Sequence, residues 1–304
     1  MSTQSTDALA ALSDRLAGIV GEAAPSIVAI EGRRRFTSSG FIWRAGVVVT
    51  ADEALDADDD IAVRLPDSRR VTATLAGRDP STDIAVLRID EKGIAPVRLN
   101  ASDTPLPGHL AIAVGRRPEG TIANLGIVSV AGGPWRSMRG GQLDRFIRLD
   151  LRLDPRAEGG PVLDTAGGVI GMAVLGPRRS VLAIPAATIE RVADQLLAKG
   201  RIARGYLGLG LQPVRLDQAL ATSLSLPEPR GIIVVSVDPN GPGARAGILL
   251  GDVVAKWSGE PVRSVRDIFR RLGPETVGQN VELTIVRAGQ ATTASVSIGE
   301  RPAS

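Results

Sequence analysis

Residues 146–162 read FIRLDLRLDPRAEGGPV, a strand-like run ending in Gly159-Gly160-Pro161 with a carboxylate, Glu158, directly before the turn. Two more carboxylates stand in comparable settings. Glu53 follows the apolar run GVVVT at residues 46–50, and Asp83 lies in DPSTDIAVLRID at residues 79–90. Covalent nucleophilic chemistry needs a hydroxyl or thiol with a base beside it, and glutamate is neither. The other means for such chemistry are few: one histidine, His109, no cysteine, and lysines at Lys92, Lys199 and Lys256, away from these segments. A hydroxyl–imidazole–carboxylate triad needs an imidazole held by the carboxylate, and His109 sits instead in the strand-like GHLAIAVG.

The elements that must position these residues are short and β-branched, separated by Gly, Pro and Asp, which predicts a mainly β fold over the first two-thirds of the chain. Strands are expected at 25–31, 40–49, 61–65, 71–76 and 82–89, then at 110–115, 122–130, 145–151, 161–164, 168–175 and 181–185. At 304 residues the chain can hold two domains. Aromatic residues are scarce, so the cores must be built from Val, Ile, Leu and Ala.

In order along the chain, these segments resemble the trypsin-like domain of HtrA/Deg serine proteases. The Gly-Gly-Pro run aligns with that family's nucleophile segment, DPSTDIAVLRID with its triad carboxylate segment, and GVVVT with the strand before its histidine; GGVIGMAV and VLAIPAATI resemble its closing strands. The resemblance puts Glu53 at the histidine, Asp83 at the carboxylate, Glu158 at the serine, and Arg156 at an oxyanion-hole glycine, where a non-glycine residue resists positive φ. The expectation is therefore a proteolytically inactive chain, not an enzyme, acting as an adaptor, chaperone-like holder or assembly factor. Two alternatives remain open: a metal or acid–base site built from Glu53, Asp83 and Glu158, and a residual serine endopeptidase. No cofactor is expected, and no metal.

RGYLGLGL, residues 204–211, and GIIVVSVDPNGPGARAGILLGDVVAKWSGEPV, residues 231–262, resemble an HtrA-type PDZ domain, an α+β fold. Its glycine-rich loop would turn backbone N–H groups toward a terminal carboxylate and present a strand edge for β-augmentation. The implied peptide-binding residues are Arg204, Tyr206, Leu207, Gly208 and Leu209, with Ile268 of the helical run SVRDIFRRL lining the apolar pocket. The expected partner is a polypeptide with an apolar C-terminus.

The predicted organisation is a helical segment at 1–24, a trypsin-like double β-barrel at 25–186, a linker helix at 187–203 and a PDZ domain at 204–300. The charge balance is mildly basic, +3 at pH 7. The Arg33-Arg34-Arg35 run, with no interleaved aromatics, reads as a solvated loop, so no nucleic-acid partner is expected. No segment approaches the length of a membrane span. The N-terminus has helical spacing at Leu9, Leu12, Leu16 and Ile19 and lacks the basic start and apolar core of a secretory signal, from which a cytoplasmic location is expected. HtrA trimers use aromatic residues near the N-terminus, and none precedes Phe36 here, so a homo-oligomer would need an aliphatic interface.

Overall fold

Apolar runs closed by glycine, proline or aspartate become strands in the computed structural model, which describes residues 3–31, 37–56, 58–99, 105–137 and 139–302. The Arg33-Arg34-Arg35 run lies outside the described residues. The chain divides into two compact units, residues 1–202 and 203–304.

In the first unit α1 (Thr3–Ala23) precedes two closed barrels. The first barrel uses β1 (Ile27–Glu31), β2 (Ser38–Arg44), β3 (Val47–Thr50), β4 (Ile61–Arg64), β5 (Arg70–Asp79) and β6 (Ile84–Ile89), in the order β1-β2-β3-β6-β5-β4. The second begins with β7 (Leu110–Arg117) and β8 (Gly120–Gly132). A small ribbon of β9 (Trp135–Arg136) and β10 (Gln142–Leu143) intervenes, and β11 (Phe146–Asp150), β12 (Pro161–Leu163), β13 (Val169–Leu175) and β14 (Val181–Pro185) complete it. Its order is β11-β14-β13-β12-β7-β8.

The double barrel follows from residue type. Val, Ile and Ala pack a pleated, buried surface well, and β1, β3 and β6 bury nearly every side chain. One apolar cluster runs from Phe41, Val49 and Val86 of the first barrel to Val114, Met172 and Ile184 of the second, so the barrels share a core. Ile19 of α1 joins that cluster, as do Ile189, Val192 and Leu196 of α2 (Ala186–Lys199). Helix α2 ends at Gly200, φ 70°, the left-handed stop expected after Lys199. Arg44 ties it to β2 through Glu190 and Asp194.

The second unit starts with β15 (Gly205–Tyr206), β16 (Leu209–Arg215), α3 (Gln218–Ser223) and β17 (Arg230–Val237). It continues through α4 (Pro242–Arg245), β18 (Val253–Trp257), β19 (Glu260–Pro261) and α5 (Val265–Arg270), and ends with β20 (Asn280–Arg287), β21 (Gln290–Ser297) and β22 (Gly299–Glu300). The main sheet runs β16-β17-β18-β20-β21, with β19 on β18, and β16 is its edge. Ile232, Val254, Ile268, Leu283, Ile285 and Val296 form the core. Ser264 caps α5 reciprocally with Asp267, an S-x-x-D signature visible in the sequence.

Candidate functional site

The Gly-Gly-Pro loop is wedged between the barrels by its own backbone. Asp154 caps a single 3₁₀ turn, its Oδ1 accepting from Arg156 N at 2.9 Å, while Ala157 N donates to Asp154 O. Arg156 therefore adopts ordinary right-handed geometry; the positive φ in the loop falls on Gly159, at 81°. Ser39 of β2 holds the loop from the first barrel: its N–H donates to Glu158 O at 2.9 Å and its Oγ to Arg156 O at 2.6 Å. Arg116 N, on β7, donates to the same Oγ.

Glu158 is 5% exposed, and its Oε1 accepts from Leu175 N at 3.1 Å, which lays the side chain along the end of β13. Glu53 sits in a 3₁₀ turn at Asp52–Ala54; its N–H donates to Asp83 Oδ1 at 3.0 Å, and its carboxylate pairs with Arg139 Nη2 at 2.9 Å. Asp83 adopts φ 58°. Burial pushes its carboxyl up to about 7; the hydrogen bond from Glu53 N works against that, and the charges of Glu53, Glu158 and Asp52 add to it. The charges of both Glu53 and Glu158 thus act on Asp83.

Glu53 is committed to Arg139 and Glu158 to Leu175 N, and among the described residues no group of three His, Cys, Asp or Glu side chains is arranged to hold an ion. His109 is remote in role: its Nδ1 accepts from Leu106 N in the turn that opens β7.

Asp83 carries a pH signature. Its folded value is above the ordinary ~3.9 of a free aspartate, so the native state binds the extra proton. Stability of the first unit should fall as pH rises from about 4 to about 7 and then level off. Asn tolerates the left-handed conformation and can still accept from Glu53 N. Asp83→Asn should therefore match wild type near pH 4 and exceed it by roughly 2 kcal/mol at pH 8, after allowing for partial solvent contact. Urea unfolding at the two pH values checks this; equal stability at pH 8 overturns it.

The glycine-rich loop of the second unit is also braced. Tyr206 Oη donates to Asp238 Oδ2 at 3.0 Å, and Tyr206 pairs with Gly299. Leu207 is buried in the core and its carbonyl accepts from Gly243 N at 2.7 Å. Gly208, φ 71°, accepts from Asp238 N, and a Cβ there would lie 2.9 Å from Gly241 Cα. The N–H groups of Leu207 and Gly208 find no acceptor among the described residues. Leu209 opens β16, and the Arg204 carbonyl accepts from Arg301 N.

Helix α5 lies beside β16. Ile268 is fully buried among core side chains, which corrects its assignment to an open pocket. The exposed apolar side chain of α5 is Phe269, 61% exposed, on the face it shares with Val265 one turn earlier. Periodicity alone did not separate Ile268 from Phe269, because both fit the i, i+3, i+4 pattern.

Two barrels with this loop between them, followed by a sheet with an open edge and a glycine loop, define a trypsin-like peptidase domain joined to a PDZ domain. The corresponding family matches cover residues 38–172, the trypsin-like peptidase domain, and 205–298, the PDZ domain. The chain belongs to the HtrA-type protease family. It is 30% identical to the solved HtrA-type protease AlgW with tripeptide, covering 95% of this chain and 98% of that one at a TM-score of 0.68. The serine endoprotease from Yersinia pestis is 27% identical with a TM-score of 0.70, over 93% of this chain and 97% of that one. A curated relative from Brucella suis biovar 1, named "Probable periplasmic serine endoprotease DegP-like", is 36% identical over 87% of this chain and 52% of its own length. One of the same name from Rhizobium meliloti is 34% identical over 90% of this chain and 55% of its own. The chain spans about half the length of the curated relatives it matches.

These kinships correct two expectations. The expectation of a non-enzyme is overturned by relatives named serine endoproteases. In this chain Glu53 and Glu158 stand where the resemblance puts histidine and serine. The cytoplasmic expectation is overturned by curated relatives named periplasmic, which point to the cell envelope. No described helix is long and apolar enough to cross a membrane.

Proposed function

We propose that the chain acts on polypeptides in the manner of an HtrA-type protease, with the PDZ domain capturing an extended segment that ends in an apolar residue and a free carboxylate. One observation carries the capture: the Leu207 and Gly208 N–H groups are without acceptors among the described residues at the start of β16, whose outer edge pairs with no described strand. A carboxylate on those donors and a peptide strand along β16 would complete both sets of hydrogen bonds. Phe269 and Val265 supply the apolar wall, and Arg204 adds favourable charge near the loop. Endoproteolysis by the two-barrel unit is carried over from kinship alone.

Amidating the C-terminus of an apolar peptide should weaken binding by about 1.5–3 kcal/mol, the worth of hydrogen bonds to a charged group. Phe269→Glu should weaken it separately, whereas Ile268→Ala should show as lost stability, about 2–4 kcal/mol. Calorimetry on the full chain measures the first two. Indifference to both amidation and Phe269→Glu removes the capture reading. New N-termini released from unfolded casein support the hydrolytic part, and intact casein after prolonged incubation removes it while leaving capture standing.

A further inference from the structure

Beside the Glu158 loop, Thr37, Arg117, Glu119, Thr121, Ile122 and Arg156 line an open cleft of about 740 Å³. That volume suits one or two residues of a bound chain. Two guanidinium groups stand on its wall, with 40% of the Arg117 and 43% of the Arg156 side chain exposed. Both look toward one carboxylate. Arg117 Nη2 pairs with Asp154 Oδ2, and Arg156 Nη1 lies 3.9 Å from Asp154 Oδ1. Arg117 Nε is buried and has no acceptor among the described residues.

Burial acts to raise the Asp154 carboxyl, but hydrogen bonds from Arg156 N and the Arg117 side chain outweigh it and hold the group below the usual carboxylate range. Asp154 is thus ionised at neutral pH and offsets one of the two cations. Glu119, the remaining acid on the cleft, is exposed on its rim, where solvent and salt screen it. The cleft keeps an arginine whose fork meets, among the described residues, only Asp154, at 3.9 Å. Its position is also tied to the loop: Arg156 is two residues before Glu158, and Ser39 pins its carbonyl.

We propose that this cleft is a carboxylate-reading subsite, in which Arg156, supported by Arg117, takes an acidic side chain of a polypeptide lying along the Glu158 loop. The inference rests on the polypeptide reading above and adds a preference to it. A guanidinium matches a carboxylate through two parallel N–H···O bonds. Ile122 gives the side chain's methylenes an apolar surface, and Thr37 and Thr121 can complete its polar contacts.

The test uses the full chain and twin peptides amidated at the C-terminus, which silences carboxylate reading by the PDZ domain. One twin carries a central Glu and the other Gln. The Glu peptide should bind about tenfold more tightly, the difference shrinking with added salt. Arg156→Gln, at a half-exposed site, should close the gap, and Glu119→Gln should widen it. Equal binding of the twins, binding of neither, or a gap unchanged in Arg156→Gln overturns the subsite. If an apolar peptide with a free C-terminus still binds while the twins do not differ, the capture reading survives and only this inference fails.

Discussion

Gly160→Ala is expected to cost the first unit about 3 kcal/mol, near the upper end for overpacking a close-packed interior. A Cβ at this position would sit 2.0 Å from the Val114 carbonyl oxygen and 3.0 Å from that of Ala157. Both obstacles are backbone, so no side-chain rotation relieves the clash. Gly160 O also accepts from Ala173 N, which ties any displacement to β13. Gly159→Ala should be similarly harmful for a second reason, because its φ of 81° adds about 1 kcal/mol of conformational strain to contacts at 2.4 Å from Ser39 O. Gly133→Ala is the control: nothing lies within 4 Å of the place its methyl group would take, and its effect should stay within about 0.5 kcal/mol. Chemical denaturation of the three variants decides the matter. A Gly160→Ala protein as stable as wild type would mean that the loop is not packed tightly against β7.

Arg287→Leu should destabilise the second unit, because it strips the buried Asp252 carboxylate of its charged partner. Asp252 is 2% exposed, and Arg287 meets both of its oxygens, Nε to Oδ1 at 2.8 Å and Nη2 to Oδ2 at 2.7 Å. Leu249 N donates to Oδ2 as well. Removing the arginine leaves a buried carboxylate with a single donor, which costs far more than the pair contributes. The pH dependence follows from the sign of the shift. The Arg287 hydrogen bond holds Asp252 below its usual range, against the opposing effect of burial. Its contribution is therefore complete above about pH 4 and is lost as pH falls through the lowered folded value. The penalty of Arg287→Leu should be full at pH 7 and shrink on acidification, and Asp252→Asn added to it should recover part of the loss. Hydrogen exchange of the β18 and β20 amides reads this unit alone. A penalty that does not change between pH 7 and pH 3 would assign the effect to packing rather than charge. Asp83 in the first unit contributes in the opposite direction between about pH 4 and about pH 7, because its value is raised where that of Asp252 is lowered.

The sequence by itself determined the two-barrel-plus-PDZ architecture, because both depend on local signals. β-branched runs broken by Gly, Pro and Asp specify strands, and Gly-Gly-Pro and Arg-Gly-Tyr-Leu-Gly-Leu mark loops that few other residues could form. Only the tertiary structure decided what the carboxylates of Glu53, Asp83 and Glu158 face: Glu158 turned onto Leu175 N, Glu53 paired with Arg139, and Asp83 accepting from Glu53 N. Arg139 is 86 positions from Glu53 and Glu158 is 17 from Leu175, separations that no local pattern encodes. Ile268 and Phe269 are adjacent apolar residues on a short helix, and only packing shows that the first fills the core and the second meets solvent. The same holds for Arg117 and Arg156, unremarkable among many arginines until the barrel closes and turns both toward Asp154. Backbone conformation is chosen by neighbours in sequence, whereas burial and charge are set by neighbours in space.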